Sequence, residues 1–127
     1  MVKTILCFGS EVAHDDTPFR ICESLRNNPD FNFVKCEAAI DIMAYVDLDE
    51  LVIMDNIKGL KKPKLFRNIE EFKKVESVTT HDIDLGTFLH VLEGMGKLKN
   101  VNIIGLPHGS KKPDVMQDVK NILTSQL

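Results

Sequence analysis

The chain has 127 residues, 43% of them hydrophobic and 28% charged, with a formal charge of −3. That length suits a single domain over residues 1–127 with a core of its own. The acidic balance argues against nucleic acid as a partner, because such binders carry a basic surface. No apolar run reaches the ~20 residues of a membrane span or forms a secretory leader, so no membrane partner is expected.

Cys7, Cys22 and Cys36 are odd in number and lack CxxC spacing. A disulfide framework or structural zinc site is therefore not expected, and a reduced, cytoplasmic setting is. Cys7 lies in an apolar run and Cys36 follows one, which reads as buried, inert thiols.

Val2 to Phe8 is apolar and β-prone and ends at Gly9-Ser10, which predicts a buried strand. Pro18 suits the first turn of a helix, where its missing N–H costs nothing. Phe19, Ile21, Cys22 and Leu25 then form a helical stripe, broken at Asn27-Asn28-Pro29. Phe31 to Lys35 reads as a second strand. Ala38 to Tyr45 reads as a short helix with Ile40, Met43 and Ala44 on one side. Leu51-Val52-Ile53-Met54 is a continuous apolar run stopping at Asp55, the pattern of a strand covered on both faces of a parallel sheet.

The basic cluster Lys58 to Lys64 reads as a solvated loop, and Lys64 to Phe66 after Pro63 as a short extra strand. Leu85, Phe88, Leu89 and Leu92 recur at i, i+3, i+4, i+7, an amphipathic helix ending near Gly94-Met95-Gly96. Val101 to Leu106 is another strand, closed by Pro107. Ser110 and Pro113 open a last helix with Val115, Val119, Ile122 and Leu123 inward. The order predicts an α/β three-layer sandwich of the phosphorylase/hydrolase-like kind, a mostly parallel twisted sheet with helices on both faces.

In such folds ligands bind outside the carboxyl ends of the strands. Asp15-Asp16 follow the first strand, Asp55 follows the third, and His81 precedes the Leu85 helix. Two carboxylates and an imidazole brought together would make a divalent-metal site with N and O ligands. Each residue also has a purely structural use. Asp15, Asp16 and Asp84 can cap helices, and Asp55 can hold a turn. Spacing alone leaves both uses open. His108 reads as an exposed loop histidine, and His14 and His90 offer no spacing argument. Gly9-Ser10 has no GxSxG frame, and neither a dinucleotide fingerprint nor a P-loop follows it.

Gly9-Ser10-Glu11-Val12-Ala13-His14-Asp15-Asp16 resembles the G-(N/S)-x-x-x-x-D-(D/E)-G signature of the hydrogenase maturation proteases, placed after strand one. Met54-Asp55-Asn56 is similar to that family's strand-end V-D-A. His81-Asp82 resembles its histidine segment ahead of a helix, and Val101 to Pro107 its late strand. The likeness runs in order along nearly the whole chain. Thr17-Pro18-Phe19 stands where the family has Gly, and Asn56 replaces a small residue.

The resemblance implies an endopeptidase that removes the C-terminal extension of a nickel-iron hydrogenase large-subunit precursor after nickel insertion. The precursor is the implied partner, and its nickel is what the protease recognises; no other cofactor is implied. The two acidic positions and the histidine that meet this metal fall on Asp16, Asp55 and His81, with Asp15 orienting the loop or capping the helix. The alternatives are a non-catalytic metal- or precursor-binding module of the same fold, or a receiver-type small-ligand domain. The latter expects a lysine at a late strand end, where Leu106 here leads into Pro107-His108.

Overall fold

The computed structural model describes residues 2–9, 16–74 and 85–127. Strands β1 (Lys3–Phe8), β2 (Phe31–Cys36), β3 (Leu51–Ile57), β4 (Lys64–Phe66) and β5 (Val101–Pro107) form one sheet in the order β2-β1-β3-β5-β4. All pairings are parallel except that of β4 with β5. Helix α1 (Thr17–Leu25) links β1 to β2, and a 3-10 helix at Ala39–Tyr45 lies between β2 and β3. Helices α2 (Ile69–Lys74) and α3 (Leu85–Gly94) lie between β4 and β5, and α4 (Lys112–Ser125) ends the chain.

Strand alternation sorts the core into two halves. Leu6, Phe8, Leu51, Ile53, Ile57 and Ile103 face α2, α3 and the 3-10 helix. Ile5, Cys7, Val52, Met54, Ile104 and Leu106 face α1 and α4. Every residue of β3 is buried, because it is the central strand and carries helices on both faces. This is the expected three-layer α/β architecture.

Most local expectations hold. α1 buries Phe19, Ile21 and Cys22, and α4 buries Val115, Val119, Ile122 and Leu123. β4 falls on Lys64–Phe66 at the sheet edge, with Pro63 before it and Lys64 exposed, features that discourage pairing with another chain.

Three expectations need correction. β3 does not stop at Asp55 but continues to Ile57, since Asp55, Asn56 and Ile57 still pair with Gly105, Leu106 and Pro107. The 3-10 helix buries Ala39 and Ile42, while Ile40 is 59% and Met43 44% exposed. Three residues per turn select an i, i+3 pair, so the stripe expected at Ile40, Met43 and Ala44 faces water. Ser110 does not cap α4; Lys111 holds that position, and its side chain makes no cap hydrogen bond.

Helix α2 was not expected at all, although its signal is local. Asn68 Oδ1 accepts the Glu71 N–H at 2.8 Å, and the Glu71 carboxylate reaches back to the Arg67 N–H at 3.4 Å. Asn-x-x-Glu is the capping-box pattern shifted by one backbone donor. Ile69 and Phe72 then bury at i, i+3.

Candidate functional site at the β1/β3 switch

The sheet order places β1 and β3 side by side while their following connections leave in opposite directions, β1 toward β2 and β3 toward β5. α1 covers one face and α2 and α3 the other. The crevice between the carboxyl ends of β1 and β3 is therefore the topological switch point, where open α/β sheets bind ligands.

Asp16 and Asp55 flank this switch. Asp16 occupies the N-cap position of α1, but its carboxylate makes no cap hydrogen bond. Instead Asp16 Oδ2 accepts from Arg20 Nε at 2.7 Å, one helical turn on. Arg20 holds the carboxylate in place and lowers its net charge, while the Asp16 side chain keeps 19% exposure.

Asp55 lies one residue beyond the last β1–β3 pair, Cys7 with Met54, and is 0% exposed. Its parity matches Leu51, Ile53 and Ile57, so it belongs to the face of α2 and α3. Asp55 Oδ1 accepts the N–H of Asn56 at 2.8 Å, which fixes the carboxyl plane against its own strand. Its neighbour on β5 is Gly105. A Cβ on Gly105 would stand 2.6 Å from Ile57 Cδ1 and 2.8 Å from Leu60 Cδ1, so only glycine fits beside Asp55 without displacing the core. Burying a carboxylate costs several kcal/mol before pairing is counted, so its place at the switch points to a chemical use.

His81 lies outside the described residues, as do Asp15, Asp82, Asp84 and His14. Asp16 and Asp55 thus come from adjacent strand ends, Asp16 toward the α1 face and Asp55 toward the other. Their oxygen donors suit a hard or borderline cation, and an imidazole would shift that preference toward nickel or zinc. His108 is exposed, as expected; its N–H donates to the Ile57 carbonyl at 3.3 Å and helps close the strand ends.

Sequence reasoning missed the cleft beside Asp16. It has a volume of about 360 Å³, and Asp16, Thr17, Arg20, Ser110 and Lys112 line it. Thr17 is 2% exposed, and its Oγ1 donates to the Ser110 carbonyl, joining the start of α1 to the β5–α4 loop. Lys112 Nζ bonds Ser24 Oγ at 2.9 Å and draws the same two helices together. Thr17 stands where the resemblance has Gly, yet it is the first residue of α1. Helical dihedrals suit any L-residue except proline beyond the first turn, so no glycine conformation is needed here.

All three cysteines are buried and unbridged. Burial pushes the Cys7 thiol well above its ordinary value. Burial, with the Asp41 carboxylate second, pushes Cys36 up to about 12. Both stay protonated at neutral pH and inert, as expected. Cys22 departs from that pattern: a hydrogen bond with Cys7 holds its thiol below the ordinary value.

No protein-family model and no curated protein matches the chain. Solved structures do. The NiFe hydrogenase maturation protease HybD from Thermococcus kodakarensis is similar with a TM-score of 0.69, over 96% of this chain and 99% of that one, at 18% identity. A hydrogenase 3 maturation protease gives 0.69 over 97% of this chain and 89% of its own, also at 18% identity. The endopeptidase HycI from Escherichia coli gives 0.60 over 84% and 73%, at 16% identity. Motif order and superposition lead to the same place: the chain has the fold of the hydrogenase maturation proteases.

Proposed function

We propose that this chain is an endopeptidase of hydrogenase maturation, removing the C-terminal extension of a nickel-iron hydrogenase large-subunit precursor once nickel has been inserted. The observation that carries this reading is a fully buried carboxylate, Asp55, at the switch point of a fold shared with three solved maturation proteases. Asp16, Asp55 and His81 are the residues that would meet the precursor's nickel.

Nickel enters as part of the substrate. Bound by these donors, it would hold the scissile peptide at the switch crevice and polarise its carbonyl toward an attacking water. Asp16, 19% exposed and held by Arg20, would orient that water or take its proton. Asp55 is held rigid by its own strand, which keeps one ligand fixed while substrate docks.

The test is incubation with a nickel-loaded precursor, read as intact mass, with separate Asp16→Asn, Asp55→Asn and His81→Ala variants. Loss of a C-terminal peptide from the precursor with wild type, and at least a hundredfold slower loss with each folded variant, is expected. A stable complex with unaltered precursor mass would instead identify a non-catalytic binder. Wild-type rates in all three folded variants would overturn the site.

A further inference from the structure

We propose a second, surface metal site on this chain: Glu70 of α2 with His90 and Glu93 of α3 forms a three-ligand site for a first-row transition ion such as zinc, fastening α2 to α3. Their ligand atoms all lie within 4.8 Å of one another, the one such set of three among the described residues. The peptidase reading uses none of them, so the two proposals stand independently.

The placement follows from packing. Each ligand residue comes directly after a buried anchor: Ile69 at 1%, Leu89 at 0% and Leu92 at 4% exposure. These anchors belong to one core cluster together with Phe72, so both helices are fixed against the same half of the sheet. His90 and Glu93 are three apart on α3 and share a face, the spacing by which helical bundles present carboxylate and imidazole to one ion. Glu70 meets them from the other helix. Sequence reading passed over His90 because its partner set is completed only across the helix pair.

The donor set is selective. One imidazole nitrogen and two carboxylate oxygens suit zinc, nickel or cobalt, with water completing the shell, whereas magnesium and calcium favour oxygen throughout. A tetrahedral ion with ligands at about 2.1 Å would set donor separations near ~3.4 Å, so modest torsions of three exposed side chains close the set. None of the three makes a hydrogen bond or ion pair with a described residue. Two carboxylates held this close repel each other, and a cation among them relieves that repulsion. α2 and α3 also bound residues 75–84, the connection that carries His81. An ion joining the helices holds the two ends of that connection at a set separation.

The experiment uses the untagged full chain, freed of metal with a chelator and titrated with Zn²⁺ by calorimetry, with thermal unfolding as a second readout. Wild type and an Asp16→Asn/His81→Ala variant are each expected to take up zinc with the same surface component and to gain thermal stability. His90→Ala and Glu93→Gln are expected to lose that component, weakening it by at least the roughly 10- to 100-fold that even outer-shell changes cost a metal site. Co²⁺ substitution should give a visible absorption band in wild type that His90→Ala abolishes. Absence of zinc uptake by wild type, or uptake unchanged by His90→Ala, overturns the site. Uptake lost in Asp16→Asn/His81→Ala but kept in His90→Ala assigns zinc to the switch crevice and also overturns it.

Discussion

Thr17 offers a direct measure of how the start of α1 is held. Its hydroxyl is buried, and its donation to the Ser110 carbonyl bridges 93 positions of sequence. Thr17→Val keeps the shape and removes the donor. The loss is one net hydrogen bond, ~0.5–1.5 kcal/mol, with a further contribution because the Ser110 carbonyl loses this partner in a half-buried setting; about 1–2 kcal/mol in total is expected. For 127 residues, at about 2.1 cal/mol/K per residue, that lowers the unfolding midpoint by about 4–7 °C. Thr17→Ser keeps the donor and should cost under about 1 kcal/mol, the value of one methyl group. Thr17→Gly loses the bond and adds a helical glycine, so about 2–3 kcal/mol is expected. Urea unfolding checks the series, with the m-value unchanged throughout. A Thr17→Val protein as stable as wild type would refute the bond's contribution. A Thr17→Gly protein more stable than wild type would show that the position needs the conformational freedom of glycine.

Two further outcomes follow from the same structure. Gly105→Ala brings a methyl group to 2.6 Å from Ile57 Cδ1, 2.8 Å from Leu60 Cδ1 and 3.1 Å from the Phe66 ring, so it should cost about 1–3 kcal/mol in urea unfolding. Adding Ile57→Val should recover part of that loss, and strictly additive effects would disprove the overlap. Cys36, with its thiol raised from 9.0 to about 12, keeps its proton when folded at a pH where the unfolded chain releases it. Its contribution is thus complete below about pH 9 and lost as pH rises from there toward 12. Urea midpoints measured across that window should fall less steeply for Cys36→Val than for wild type, and equal slopes would remove Cys36 as the cause.

The chain's own sequence determined its strands, the inward faces of α1 and α4 and the layered α/β architecture, because periodicity 2 or 3.6 is written residue by residue and burial follows it. It also carried Asp16 and Asp55 as candidates, since each lies near a strand end that the apolar runs mark. The capping pattern at Asn68 and Glu71 was equally local and was readable, though only a hydrogen-bonded helix makes its meaning plain. Tertiary structure decided what depends on partners distant in sequence. β3 runs through Asp55 because β5 continues to pair with it, which buries a carboxylate that the apolar pattern leaves at a boundary. Thr17 belongs in a helix and holds Ser110, a bond between residues 17 and 110. Glu70, His90 and Glu93 converge only once two helices pack on one half of the sheet. Local pattern selects which face of an element is buried; which polar groups then meet is set by how the elements pack.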